Sequence, residues 1–204
     1  ALISENGEIF GEEYTLVAVA DYVLKHTPGN TVSNLSSSRA LKDVTEAYGQ
    51  QYHAAAVGEV NVVAEMKRTH SVIGGEGNGG VIYPESHYGR DALVGVGLFL
   101  SHYVAQSKKM TELKSTYPPY FISKNKMTLS PDMDVDKILE GLKERYATEK
   151  VTDIDGVKID FAQGWVHLRK SNTEPIIRIY SEAKDEAAAN QLAEEVIAAA
   201  KSTF

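Results

Sequence analysis

The 204-residue sequence contains no cysteine, which excludes disulfides, thiolate metal centres and a cysteine nucleophile. It also lacks a long apolar run. The longest, around "DALVGVGLFLSHYVA", is too short and interrupted to span a bilayer, and no signal-peptide pattern is present. The expectation is a soluble, cytoplasmic protein with no membrane partner. A basic balance is missing too: 21 Lys and Arg against 28 Asp and Glu leave a formal charge of −7. That sign opposes a general attraction to nucleic acid, so no nucleic-acid partner is expected and any bound anion must be held by a local cluster. A starting methionine is absent as well. "ALISENGEIF" reads as strand, turn at Glu5-Asn6-Gly7, strand. Because a lone hairpin is marginal in water, residues 1–10 read as the remnant of a preceding domain or as a processed terminus carrying an edge hairpin.

What is present is normal for a packed globular chain, with 43% apolar residues. From residue 11 to 107 helical and strand patterns alternate. "EEYTLVAVADYVLKH" carries a stripe at Leu16, Val19, Ala20 and Val23, and "SRALKDVTEAYG" one at Leu41, Val44 and Tyr48. "TVSNL", "YHAAAV" and "SVIGGEGNGGVIY" read as strands, the last running into glycines and out again. Asp91 caps a helix to about Ala105 that is apolar almost all round and is therefore expected to be buried between layers. This order predicts an α/β fold, a three-layer α/β domain with ligands at loops beyond the strand ends. Residues 108–120 read as a linker. Residues 121–204 predict a small α+β domain: a mostly antiparallel sheet of about four strands, with two helices.

Three stretches carry candidate chemistry. In "RKSNTEPIIRIY", Arg169, Ser171, Asn172 and Thr173 offer a guanidinium fork, two hydroxyls and an amide, with Arg178 on the following strand. Such a turn suits a phosphate, which takes short charge-assisted bonds and matches an arginine fork; the alternative is a polar turn whose arginines pair with nearby acids. In "GGEGNGG", glycines around Glu76, Gly77 and Asn78 let backbone approach a ligand, and a carboxylate beside an amide can bond vicinal hydroxyls. That suits a sugar, or else marks a plain glycine-rich turn. A dinucleotide reading fails, because Glu76 would repel a pyrophosphate. In "DMDVD", Asp132, Asp134 and Asp136 mimic a metal loop, but no glycine follows at the required position and the acids precede an amphipathic helix, so helix capping is expected and no metal site. His87, just beyond the glycine loop, either reaches the same pocket or is a plain structural histidine, and Ser36, Ser37, Ser38 and Arg39 form either a phosphate-facing turn or a helix cap.

Taken together, "GGEGNGG", then "HYGRDAL", then "RKSNTEPIIRIY" resemble the C-terminal half of the α-D-phosphohexomutases, the family of phosphoglucomutase, phosphomannomutase and phosphoglucosamine mutase. The resemblance covers nearly the whole chain. It implies an isomerase of carbohydrate metabolism that interconverts hexose 6-phosphate and hexose 1-phosphate. Glu76 and Asn78 with Gly77 would bond sugar hydroxyls, Gly58 and Glu59 of "VGEVNV" would face the sugar, and Arg169, Ser171, Asn172 and Thr173 would hold the phosphate that is not transferred. The family's sugar loop commonly reads G-E-x-S-G-H, whereas Asn78 and Gly80 replace its serine and histidine here. Its phosphate loop commonly has proline or alanine after the arginine; here Lys170 adds charge. The family's phosphoserine loop and its Asp-x-Asp-x-Asp-Arg loop for magnesium find no match in these residues. The expectation is therefore the recognition half of a mutase, without catalytic residues of its own, whose partners are a phosphorylated hexose and the missing N-terminal catalytic domains that carry Mg2+. The alternative is a stand-alone, non-catalytic sugar-phosphate-binding module. Glu76→Gln is expected to weaken sugar recognition with little effect on stability.

Overall fold

The computed structural model describes residues 1–130, 133–171 and 174–202. The chain divides into two compact units, Ala1–Pro119 and Tyr120–Phe204.

The first unit opens with α1 (Glu12–His26), β1 (Thr31–Asn34), α2 (Ala40–Ala47), β2 (Tyr52–Ala55) and α3 (Glu59–Thr69). It continues with β3 (Ile73–Glu76), β4 (Gly80–Ile82), α4 (Ala92–Gln106) and a short α5 (Met110–Lys114). Among the described residues its sheet has four strands in the order β2-β1-β3-β4, parallel except for β4, which returns antiparallel to β3. Neighbouring residues of a strand face opposite sides. Met66 of α3 lies against Gly74, and Leu16 of α1 against Gly75, so helices cover both faces. Val81, the partner of Gly75, meets Gly95 of α4 on the α1 side. The α3 side buries Val32, Ala55, Val62, Met66 and Ile82.

Helix α4 departs from expectation. Only Gly95, Phe99 and His102 are buried, while Leu93 and Val104 are 84% and 74% exposed and Val96 and Leu100 are also open. The helix between neighbours is α1, which packs on α2 and α4 and buries eight of its residues. An apolar surface all round a helix does not say which side finds a partner, and α4 lies on the flank. The N-terminal hairpin is in neither sheet. It makes one bridge, Ile3 to Ile9, and Phe10 packs edge-on to Phe99 with ring centroids 5.2 Å apart. Residues 108–119 also belong to this unit: Glu112 accepts from the Lys109 backbone N–H at 3.0 Å, starting α5, and Leu113 and Tyr117 are buried.

The second unit comprises β5 (Phe121–Thr128), α6 (Val135–Arg145), β6 (Lys150–Thr152), β7 (Val157–Phe161), β8 (Gly164–Lys170), β9 (Ile176–Ala183) and α7 (Glu186–Lys201). Among the described residues the sheet is five-stranded and antiparallel throughout, in the order β5-β9-β8-β7-β6. The fifth strand arises because the turn around Asp155-Gly156 divides "VTDIDGVKIDF" into β6 and β7. One face carries Val157, Ile159, Val166, Leu168, Ile177 and Ile179 into a core with α6 and α7. Asp134 caps α6, accepting from the N–H groups of Asp136 at 3.1 Å and Lys137 at 3.3 Å; Asp132 lies outside the described residues. No helix among the described residues is long and apolar enough to cross a membrane.

Candidate functional site

In the first unit the candidate groups gather beyond the carboxyl ends of β1, β2 and β3, where ligands of open α/β sheets bind. Glu76 ends β3 and is 6% exposed. Its Oε1 accepts from Asn34 Nδ2 at 2.8 Å and from the Gly58 N–H at 3.2 Å, and its Oε2 lies 3.5 Å from Arg90 Nη1. Gly58 stands at the N-terminus of α3 with φ 119°, a left-handed backbone that favours glycine and aims that N–H at the carboxylate. Arg90 continues the chain of contacts. Its Nε donates to Glu59 Oε2 at 2.7 Å and its backbone N–H to Glu59 Oε1 at 3.0 Å. These Arg90 bonds, the backbone one first, hold the Glu59 carboxyl below the usual carboxylate range. The structure thus brings Gly58, Glu59 and Glu76 together through Arg90 and Asn34.

The glycine turn completes this cluster. Gly77 donates its N–H to Ser37 Oγ at 2.9 Å, and Ser37 Oγ in turn donates to Asn34 Oδ1 at 3.1 Å. Asn78 is exposed, and its Oδ1 accepts from the Gly80 N–H at 3.0 Å, so its amide NH2 is the group able to donate outward. Beside Asn78 and Gly79 a groove is lined by Leu2, Ile9, Thr15 and Phe99. His87 bonds Asp91 at 3.1 Å rather than the glycine turn, and with the N–H groups of Val94 and Leu93 it lowers the Asp91 carboxyl, the Val94 bond acting most strongly. Ser38 is a local turn-former, its Oγ accepting from the Ala40 N–H at 3.1 Å.

Asn34 and Arg90 escaped the sequence reading. Each had a weak signal: Asn34 is the amide that ends the short strand "TVSN", and Arg90 is the cation just before the helix cap Asp91. Chemically the cluster presents two carboxylates tied to one guanidinium beside a free-standing amide, which suits neutral hydroxyls better than an anion.

In the second unit Arg169 and Arg178 face each other across β8 and β9. Below the turn between these strands, Ser171 donates its N–H to the Ile176 carbonyl at 3.0 Å and is buried. Asn172 and Thr173 lie outside the described residues. Arg178 pairs with Glu174, Nη2 to Oε2 at 3.0 Å. Arg169 does not share this pattern: its Nε is buried with no hydrogen-bond partner among the described residues. Lys170 pairs with Ile177, so it leaves the strand on the opposite face from Arg169 and adds no charge beside it. Arg169 and Arg178 thus set two guanidinium groups side by side, one of them paired with Glu174. Among the described residues no three His, Asp or Glu side chains come together to hold a metal ion.

Known families match both units. The description "Phosphoglucomutase/phosphomannomutase, alpha/beta/alpha domain III" fits residues 11–120, and "Phosphoglucomutase/phosphomannomutase, C-terminal domain" fits residues 124–199. A phosphoglucomutase/phosphomannomutase of Thermococcus kodakarensis is 36% identical over 195 residues, covering 94% of this chain and 42% of that protein. A phosphoglucosamine/phosphogalactosamine mutase of Sulfurisphaera tokodaii is 36% identical over 167 residues, covering 81% and 37%. The crystal structure of a phosphoglucomutase/phosphomannomutase family protein from Burkholderia thailandensis shares the fold, with a TM-score of 0.81 at 22% identity over 98% of this chain and 43% of that one. The chain spans less than half the length of these relatives. All are mutases or mutase-family proteins by name, which does not favour a stand-alone binding module. Two adjacent domain matches in family order, carried by the fold and by relatives at 36% identity, lead to one conclusion: the chain belongs to the phosphoglucomutase/phosphomannomutase family.

Proposed function

We propose that the chain recognises a phosphorylated hexose on behalf of a phosphohexomutase that interconverts hexose 6-phosphate and hexose 1-phosphate. In this reading Glu76, Asn78, Gly77, Gly58 and Glu59 meet the sugar hydroxyls. Arg169, Ser171, Asn172, Thr173 and Arg178 hold the phosphate that is not transferred. The observation that carries the reading is Arg169, whose buried Nε has no partner among the described residues while the neighbouring Arg178 is engaged by Glu174. A buried guanidinium N–H left unbonded costs free energy, and a phosphate oxygen relieves that cost with a charge-assisted bond. Positioning and electrostatics carry most of phosphoryl-transfer catalysis, so recognition groups of this kind are a substantial part of such an enzyme.

The same proposal puts the phosphoserine and the magnesium ion that the resemblance implies on partner domains that precede this region in a full-length mutase, in a cytoplasmic setting. It gives the isolated chain no turnover of its own, and formation of hexose 6-phosphate from hexose 1-phosphate by the purified chain would contradict it. The direct test is titration of glucosamine, glucose and mannose 6-phosphates into isotopically labelled chain, followed by NMR. The phosphosugars should shift the amide signals around Arg169 and Glu76, whereas shifts confined to other residues would overturn the assignment.

A further inference from the structure

The sheet of the second unit carries a row of three cations on one face. Register sets Lys126 of β5 opposite Arg178 of β9, and Arg178 opposite Arg169 of β8. Directly opposed residues share a face, with Cβ atoms about 4.5–5.5 Å apart, and like charges so placed are destabilising. Glu174 offsets one charge through Arg178. Among the described residues, exposed Lys126 has no ion pair and the buried Arg169 Nε has no hydrogen-bond partner. Three cations less one carboxylate leave two positive charges, which matches a phosphate monoester, close to a dianion at neutral pH. The row stands at the end of the sheet next to the turn, because Leu129 just beyond β5 donates its N–H to the Pro175 carbonyl at 3.0 Å.

We infer that Lys126 is a further phosphate-binding residue of this chain, acting with Arg178 and Arg169 on a phosphate monoester. The inference rests on the reading of the Arg169 turn as a phosphate site. The two arginines supply planar forks matched to pairs of oxygens, and the lysine supplies a mobile point charge on a four-carbon stem. Lys124 is the natural control. It lies two residues down the same strand, about 7 Å away, opposite Tyr180, and its Nζ sits 5.8 Å from that ring's centroid. A diffuse field would respond alike to the loss of either lysine, since both lie within about one Debye length at physiological salt. A direct contact would not.

The test titrates glucose 6-phosphate, with glucose as the blank, into the labelled 204-residue chain and into Lys126→Ala, Lys126→Arg, Lys124→Ala and Arg169→Ala, at low and physiological salt. NMR follows binding down to millimolar affinity, and Trp165 fluorescence checks that each variant is folded. Lys126→Ala should weaken binding roughly five- to twentyfold, Lys126→Arg should recover most of the loss, and Lys124→Ala should change affinity by less than about twofold. If Lys126→Ala binds like wild type, or loses no more than Lys124→Ala, while Arg169→Ala is impaired, the assignment of Lys126 is wrong and the turn remains the phosphate site. If Arg169→Ala also binds like wild type, or wild type itself does not bind, the reading of the turn fails and Lys126 falls with it.

Discussion

His167 sits on β8, two residues before Arg169 and on the same face, 1% exposed, with its Nε2–H donating to the Asp155 carbonyl at 2.7 Å. Burial pushes its pKa down to about 4, against the Asp155 bond and with the help of the Lys158 and Arg169 charges. In the unfolded chain the imidazole titrates near 6.5. The folded-state pKa is the lower of the two, so as pH falls from about 6.5 the unfolded chain takes up a proton that the folded one refuses. The stability is complete above the unfolded pKa and is lost as pH falls toward the folded one. A gap of about 2.5 units corresponds to about 3 kcal/mol once both forms are protonated, of which about 2 kcal/mol is already lost at pH 5. His167→Gln removes the ionisation and keeps a donor for the Asp155 carbonyl. The readout is urea unfolding followed through Trp165, the single tryptophan, which is buried in the same unit. Between pH 7 and pH 5 the wild type should lose about 2 kcal/mol more than the variant, near 1 M in the urea midpoint for an ordinary small-domain slope. Parallel stability profiles for the two proteins would refute the buried, neutral histidine.

Asp91→Ala should destabilise the first unit by about 1 kcal/mol in thermal unfolding, because Oδ1 accepts from the N–H groups of Leu93 at 2.8 Å and Val94 at 3.0 Å at the start of α4; an unchanged midpoint would mean the cap is idle. Gly75→Ala should impair folding outright, since a Cβ there would collide with the Gly80 carbonyl across the β3–β4 pair; a folded variant with native amide spectra would contradict that packing. At Asp21, burial works to raise the carboxyl, but bonds from His102, Tyr48 and Tyr117 outweigh it and hold the group below its usual range. That stability is present above the unfolded pKa of about 3.9 and is lost as pH falls through the folded value. Asp21→Asn should therefore cost about 1–3 kcal/mol at neutral pH and flatten the acid limb of the unfolding profile.

Much of the fold was legible because the elements follow their periods closely. β3 runs into glycines and β4 runs out of them, and the amphipathic stripes of α2 and α6 became their buried sides. The errors share a cause, namely that partner choice is not local. The side chains of α4 are as apolar as a buried helix needs, yet α1 took the position between neighbours. Residues 110–114 look polar, yet Leu113 and the Glu112 bond to Lys109 make a helix of them. In the candidate sites, Glu76 and Arg169 stand out in the sequence by their own side-chain chemistry, one carboxylate among glycines and one guanidinium in a polar turn. Asn34 and Arg90 act through residues distant in sequence, Asn34 on Glu76 and Arg90 on Glu59, so their weak sequence signals gain meaning only from the fold. Lys170 was misread for the opposite reason: it is adjacent in sequence to Arg169, and strand alternation sends neighbours to opposite faces.

Glu76→Gln joins these lessons, because from the sequence it was expected to affect sugar recognition alone. The geometry asks for more. Oε1 takes hydrogen bonds from Asn34 and Gly58 while Oε2 faces Arg90, so donors approach both oxygens. A glutamine has one acceptor and one NH2 group, and whichever way the amide turns, that NH2 meets either two donors or a guanidinium. Leaving such a buried group unsatisfied costs about 1–3 kcal/mol. Glu76→Gln is therefore expected to lower the stability of the first unit as well as its affinity for the sugar. The two effects separate experimentally. Thermal unfolding reports the first, and titration with glucose 6-phosphate at a temperature where the variant is fully folded reports the second. Loss of affinity at full stability would mean that the Asn34, Gly58 and Arg90 contacts to Glu76 are dispensable to the fold. Loss of stability with affinity unchanged in the folded protein would make Glu76 a structural tie between β1, β3 and α3, and the sugar would have to be read by other residues.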